Sequence, residues 1–403
     1  MESLGLICLT IVISLVMGCA ATNQEPTSSA APSTFQLQIT VSYPTVKFVA
    51  LGASSMTLRG SFSPLSWGSG IRMTPAGTNT WQMTLNVTTA LPALLEFKPM
   101  LNDQVWAIGS NFFVDLPAEA GKGSVATTVF PWFNTYQGEY KYIYNVFSPQ
   151  LKNTRNLVIY TPPSYLENTL KTGYPTLFMQ DGQNLFNKST AAFGCWNCQD
   201  TINQQVVEGN IEEIIIVGVD NTPDRNNEYT YSYDPSEGFG GLGDIYLDFL
   251  ADTVIPVIQS SYPRADVTEN TGILGSSLGG LISCYAGWTR TQRWPIAGCM
   301  SSSFWWNNQD FNNTVMIKYL APNVQSLNVY LDSGDSPAPS FDDVVQTHTV
   351  MTHFQSDGWV LNQTLFYYVD KGGQHNEYYW GQRFWIPMTY LYPPHPSKFT
   401  TSE

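Results

Sequence analysis

The chain has 403 residues, of which 43% are hydrophobic, 14% aromatic and only 12% charged, a balance that excludes a disordered polypeptide. Its formal net charge of −14 excludes the broad basic face that nucleic acid or an anionic membrane demands of a partner. The length suits one large domain with a smaller one.

Residues 5–18, "GLICLTIVISLVMG", are apolar, short for a bilayer and followed by small residues. Residues 1–20 therefore read as a signal peptide, with no membrane span and an extracellular destination. In a bacterial host, Cys19 behind Val16-Met17-Gly18 offers the alternative of a lipid anchor. Residues 21–34, small, polar and proline-containing, read as a linker.

From 35 to 130 the pattern has period two. "WQMTLNV" sets Trp81, Met83, Leu85 and Val87 on one face and Gln82, Thr84 and Asn86 on the other. "SMTLRGSF" and "ALLEFKPML" behave alike, with turns between and no helical run, so a small all-β sandwich is expected. After Pro131 the rhythm changes. The apolar strands "NLVIY", "TLFMQ", "EIIIVGV", "TGILG", "IAGCM", "NVYLD" and "TLFYYV" alternate with helical segments. Strands apolar on both faces, separated by helices, predict an α/β domain over 140–395 with a mostly parallel sheet covered on both sides. Residues 396–403 form a tail.

The segment "GILGSSLGG" carries the first chemical signal. Ser277 stands between the strand "TGILG" and a helix opening at Leu278, in a G-x-S-x-G pattern. Such an elbow strains the backbone at the serine and crowds its neighbours, which Gly275 and Gly279 relieve. It also puts the serine where the free N–H of Leu278 can stabilise an oxyanion. The competing reading, a phosphate-binding turn, lacks the required lysine.

A nucleophilic serine needs a base. His375, in the loop after the last strand, has the chain order the Ser…Asp…His arrangement demands. His348, His353 and His395 lie in a helical stretch or a proline-rich tail and read as surface residues. The acid belongs between them, among Asp332, Asp335, Asp342 and Asp343; Asp332 reads as strand, and Asp342 or Asp343 could equally cap the helix that follows. Cys195-x-x-Cys198 could staple a loop or stay as two thiols. Cys284 and Cys299 supply no second short-spaced pair for zinc, so no metal site is expected, and a serine mechanism needs no cofactor.

Residues 140–395 resemble the esterase D and enterochelin-esterase branch of the α/β-hydrolases, which includes feruloyl and acetyl-xylan esterases. The resemblance rests on "TPPSY", "MQDGQNLF", "VGVDN", "RNNEYT", "GSSLGG" and "GGQHNEYYW", in that order along the domain. It implies serine-esterase chemistry and a second oxyanion donor from the "DGQ" loop, the N–H of Gln183 or Gly182. In that branch the acid follows a G-x-x-[DE] turn. Here Asp-Ser-Pro follows Gly334, as after an insertion, so Asp342 takes the acid's place with Asp335 as runner-up.

Trp305 and Trp306 in "SSSFWWNN" are expected on the catalytic edge, to stack on a sugar or aromatic acyl group, with packing under a lid as the alternative. Residues 57–114 resemble starch-binding β-sandwich modules, in which exposed Trp rings stack on glucan; Trp67 and Trp106 are the candidates, while Trp81 lies on the apolar face of its strand and reads as core. Together these readings predict a secreted serine esterase acting on acyl or feruloyl esters of carbohydrate. Siderophore or small acyl esters are the alternative substrates, and a non-catalytic carbohydrate-binding protein is the alternative of another class.

Overall fold

The structure, a computed structural model, describes residues 33–116, 123–338 and 341–394. Residues 1–32, which include the segment read as a signal peptide, Cys19 and most of the segment read as a linker, lie outside the described residues, as do His395 and the C-terminal residues after it. Ser33 and Thr34, expected in the linker, already belong to a strand, Ser33–Ser42.

Period two survives in the N-terminal β-rich region. Along Thr80–Thr89 burial alternates, with Trp81, Met83, Leu85 and Val87 inside. That strand pairs antiparallel with Ser33–Ser42 in a four-stranded sheet. A five-stranded sheet centres on Ala93–Leu101, and Leu58, Leu95 and Phe97 from it share one core with Leu37, Ile39 and Val41 from the first. A one-turn helix, Thr45–Ala50, interrupts a region read as free of helix and seats Phe48 against Trp81.

Eight strands build the larger sheet: β1 (Glu139–Ser148), β2 (Asn153–Thr161), β3 (Tyr174–Gln180), β4 (Ile215–Val219), β5 (Ala265–Ser276), β6 (Ile296–Met300), β7 (Asn328–Gly334) and β8 (Leu365–Asp370). Their spatial order is β1-β2-β4-β3-β5-β6-β7-β8, antiparallel at β2 and parallel from β4 to β8. β1 escaped the sequence reading because it is a half-exposed edge strand whose register shifts between Ile143 and Val146.

Four helices matter for the site: α1 (Cys198–Glu208), α2 (Leu278–Thr289), α3 (Val344–Ser356) and α4 (Glu377–Arg383). α2 is buried from Leu278 through Trp288, as expected of a helix apolar all round. A disulfide joins its Cys284 to Cys299 in β6, a pairing the spacing alone did not reveal, while Cys195 and Cys198 are free thiols.

The N-terminal region docks on the edge of the sheet where the parallel strands begin. Glu167, ahead of β3, accepts from Tyr43 Oη at 2.8 Å and from the N–H groups of Phe133, Asn134 and Thr135. Asn168 Nδ2 donates to the carbonyls of Ser42 and Pro131 at 2.9 and 2.8 Å. Among the described residues, no helix is long and apolar enough to cross a membrane.

Candidate active site

At the opposite edge, where the parallel strands end, β3, β5, β7 and β8 each lead into a loop carrying one of the residues singled out above. Open α/β sheets bind ligands at this edge. Ser277 joins β5 to α2 with φ 59° and ψ −128°, a conformation an L-residue holds only when its surroundings enforce it. They do so here. A Cβ on Gly275 would stand 2.5 Å from Gly279 C, and one on Gly279 would stand 2.9 Å from Gln180 Cβ, so the elbow closes only with glycine at both places.

Loop geometry brings the serine to a histidine and an aspartate. His375 Nε2 lies 2.9 Å from Ser277 Oγ, and Nδ1 lies 2.8 Å from Asp342 Oδ1. Asp342 is buried. Its Oδ1 also accepts from Asp343 N–H at 2.9 Å, and Oδ2 accepts from Gly334 N–H at 2.8 Å and from Ser301 Oγ. Burial pushes its pKa up, but the His375 hydrogen bond and charge, with Ser301 and Gly334, outweigh burial and hold it below the usual carboxylate range.

Asp335 does not reach the histidine; its exposed carboxylate accepts from Gly372 N–H at 2.5 Å. Asp332 is buried in β7 and is held by a two-pronged ion pair from Arg383, at 2.9 and 3.0 Å. Asp343 takes the N-cap position of α3 without a side-chain capping bond. Burial raises its pKa to about 6, helped by the charge of Asp342 and opposed by Trp305 and His375. Of the other histidines, His353 pairs with Asn312 Oδ1 at 2.9 Å and His348 packs beside Tyr367, both away from the serine.

Three residues without a role in the sequence reading support this arrangement. Ser301 Oγ accepts from Trp380 Nε1 at 2.9 Å and from Arg383 Nη2 at 2.6 Å, so its own proton is directed to Asp342. Trp380 also stands edge-on to the His375 ring, centroids 5.0 Å apart. The "GGQHNEYYW" motif contains Trp380 and the "SSSFWWNN" segment begins with Ser301, but nothing in the sequence reading pointed to Arg383.

A cavity of about 620 Å³ opens over Ser277 and His375, within the range of small-molecule sites. Gln183 lies on its wall, whereas Gly182 is pressed against β4, where a Cβ would meet Gly218 C at 2.6 Å. Leu278 is the first residue of α2, where helix N–H groups lack intrahelical acceptors. Phe193, 81% exposed, sits at the rim, and Trp196 and Trp380 form an apolar wall. Asp181, Arg225 and Glu377 also line the cavity. Burial raises the Glu377 pKa, and the Asp181 charge raises it further against the pull of Arg225 and His375.

The tryptophan expectation needs correcting for Trp306. It is 1% exposed, donates Nε1–H to Ser232 O at 3.1 Å and packs on Phe239, so it faces the interior and not the cavity. Trp305 is 44% exposed but does not line the cavity either. In the N-terminal region Trp67 and Trp106 are each 38% exposed, with ring centroids 6.2 Å apart, and Arg59 lies 5.2 Å over Trp106.

A mostly parallel sheet with its loops converging on one pocket at the strands' carboxyl ends defines an α/β-hydrolase-like fold. More particularly, the chain belongs to the Esterase family ("Putative esterase"), which it matches over residues 148–388. It is 26% identical over 248 residues to an uncharacterized protein of Bacillus subtilis, covering 59% of this chain and 92% of that one. A stretch of 71 residues is 35% identical to the siderophore triacetylfusarinine C esterase of Aspergillus fumigatus, covering 18% of this chain and 24% of that protein. Among solved structures it is similar to the enterobactin esterase FES from Shigella flexneri, with TM-score 0.50, 15% identity and coverage of 84% and 88% of the two chains. That likeness concerns the fold.

Proposed function

We propose that this carboxylic ester hydrolase works by a Ser277-His375-Asp342 triad. Ser277 Oγ attacks the ester carbonyl while His375 Nε2 takes its proton. The histidine then delivers that proton to the leaving alcohol, and water resolves the acyl-enzyme by the same route. Asp342 holds Nδ1–H and stabilises the imidazolium. The N–H groups of Leu278 and Gln183 stabilise the tetrahedral oxyanion. The observation that carries this reading is the unbroken hydrogen-bond path from Ser277 Oγ through His375 to a buried, ionised Asp342.

The substrates we favour are neutral acyl or feruloyl esters of carbohydrate, met outside the cell after removal of the 1–20 signal peptide. The apolar wall of Trp196 and Trp380 suits an acyl or aryl group, and two lining carboxylates stand against one guanidinium, which favours neutral over anionic ligands. In this reading residues 35–130 form a sandwich module that offers Trp67 and Trp106 to a glucan, and 140–395 form the hydrolase domain. Siderophore-ester hydrolysis is the second reading, favoured by the names of two similar proteins.

The test is hydrolysis of p-nitrophenyl acetate and butyrate by the full chain. Ser277→Ala and His375→Ala should each abolish turnover, with the double variant scarcely worse than either, because the residues act as a unit. Ser277→Ala retaining the original rate would end this reading. Acetylated and feruloylated polysaccharides, set beside ferric siderophores, then separate the two substrate classes.

A further inference from the structure

Two segments, Asp220-Asn221 and Arg225–Thr230, have no part in the hydrolytic scheme, yet both converge on the turn that follows β3. Arg225 grips Asp181 with both prongs, Nε donating to Oδ1 at 2.7 Å and Nη2 to Oδ2 at 2.8 Å. Asn221 Nδ2 donates to the same Oδ1 at 2.6 Å, and Asn221 N–H donates to Gln183 Oε1 at 3.1 Å. Asp181 N–H donates to Tyr229 Oη at 3.2 Å, and the Arg225 guanidinium lies 4.9 Å over the Tyr229 ring.

The turn needs this hold. Asp181 has φ 56° and ψ 48°, the left-handed region that residues with a Cβ enter at a cost. Gly182 is backed against β4 without space for a methyl group. The backbone of the turn is thus pressed from one side by the sheet and tied from the other through the side chains of Asp181 and Gln183. A change of φ at Asp181 would swing the N–H of Gln183, which is the next residue but one.

We propose that Arg225 is a positioning residue of the esterase site: it locks the Asp181–Asn184 turn so that the Gln183 N–H stays aimed at the developing oxyanion, and it is not a receptor for an anionic substrate. This rests on the oxyanion assignment under the proposed function. An arginine facing a hydrolase cavity invites the opposite role, but this guanidinium is already matched by the Asp181 carboxylate, with Glu377 on the same wall. Misplacing an oxyanion donor by about 1 Å costs on the order of a hundredfold in rate.

The experiment compares Arg225→Gln and Arg225→Lys in the full chain on two esters with one leaving group, p-nitrophenyl acetate and the carboxylate-bearing mono-p-nitrophenyl succinate. For Arg225→Gln, kcat should fall about a hundredfold on both esters while the ratio of their KM values stays unchanged. Arg225→Lys should recover only a small part, since an ammonium cannot reproduce the two-pronged grip. Binding of phenylboronic acid, whose serine adduct places an oxygen where the oxyanion forms, should weaken in parallel. Asp181→Asn combined with Arg225→Gln should be no worse than the poorer single variant, because Arg225 acts on the turn through the Asp181 carboxylate. A selective rise in KM for the succinate ester with kcat retained would overturn the proposal and make Arg225 an anion receptor. Unchanged kcat and boronate affinity in either folded variant, with Ser277 still essential, would sink this inference alone. Activity independent of Ser277 would sink the esterase site itself.

Discussion

Replacing Asp342 by asparagine should leave the fold standing and remove nearly all activity, for a reason that lies in its hydrogen bonds. Both carboxylate oxygens accept. Oδ1 faces His375 Nδ1 and Asp343 N–H, and Oδ2 faces Gly334 N–H and Ser301 Oγ. An amide must turn its NH2 toward one of these pairs. On the Oδ2 side it meets a fixed backbone donor and a hydroxyl that cannot turn away, since Trp380 and Arg383 already occupy its acceptor positions. On the Oδ1 side the imidazole can adapt by moving its proton to Nε2. The cheaper orientation therefore presents an N–H to Ser277 Oγ, and the base is lost. A triad with the wrong tautomer loses about 10⁴ in kcat, equivalent to about 5 kcal/mol of transition-state stabilisation. The assay is steady-state hydrolysis of p-nitrophenyl acetate at neutral pH, with circular dichroism to verify folding and Asp335→Asn as the comparison. Asp335→Asn should stay within about twofold, because among the described residues its carboxylate meets only Gly372 N–H, at an exposed turn. A folded Asp342→Asn keeping a tenth of the activity, or the reverse ranking of the two variants, would refute the reasoning.

Two further outcomes follow from the same contacts. Asp343, raised by burial to about 6, binds its proton more tightly in the folded chain than in the unfolded one, so its contribution to stability is complete below about pH 4 and is lost as pH rises through about 6. The stability difference between Asp343→Asn and the parent, measured by urea unfolding, should therefore grow in favour of asparagine by about 2–3 kcal/mol from pH 4 to pH 7; a difference flat with pH would contradict this. A fragment of residues 131–403 should hydrolyse p-nitrophenyl acetate at close to the full-chain kcat, because among the described residues none before Asp181 lines the cavity. It should also melt at a lower temperature, since Glu167 loses Tyr43 and Asn168 loses the Ser42 carbonyl; a soluble fragment without activity would show that the N-terminal region completes the site.

Much of the architecture is local and so could be read from the chain. Alternation along Thr80–Thr89, apolar runs such as Ile296–Met300, and the glycines around Ser277 record which faces are buried and where the backbone is strained, and those demands act within a few residues of one another. β1 was illegible because an exposed edge with a register shift places no periodic demand on its sequence. Trp305 and Trp306 are adjacent in sequence, yet one is exposed and one is core, a division made by Phe239 and the Ser232 carbonyl from a distant loop. The same holds for the partners of the acidic residues. Asp342 meets His375 and Asp335 meets Gly372 because β7 and β8 end side by side, and Arg225 reaches Asp181 across 44 residues because β3 and β4 do. Sequence determined the strands other than β1, the elbow and the short roster of candidate groups. Only the tertiary structure decided which of those groups meet, because hydrogen bonds between loops depend on the order in which the sheet sets its strands.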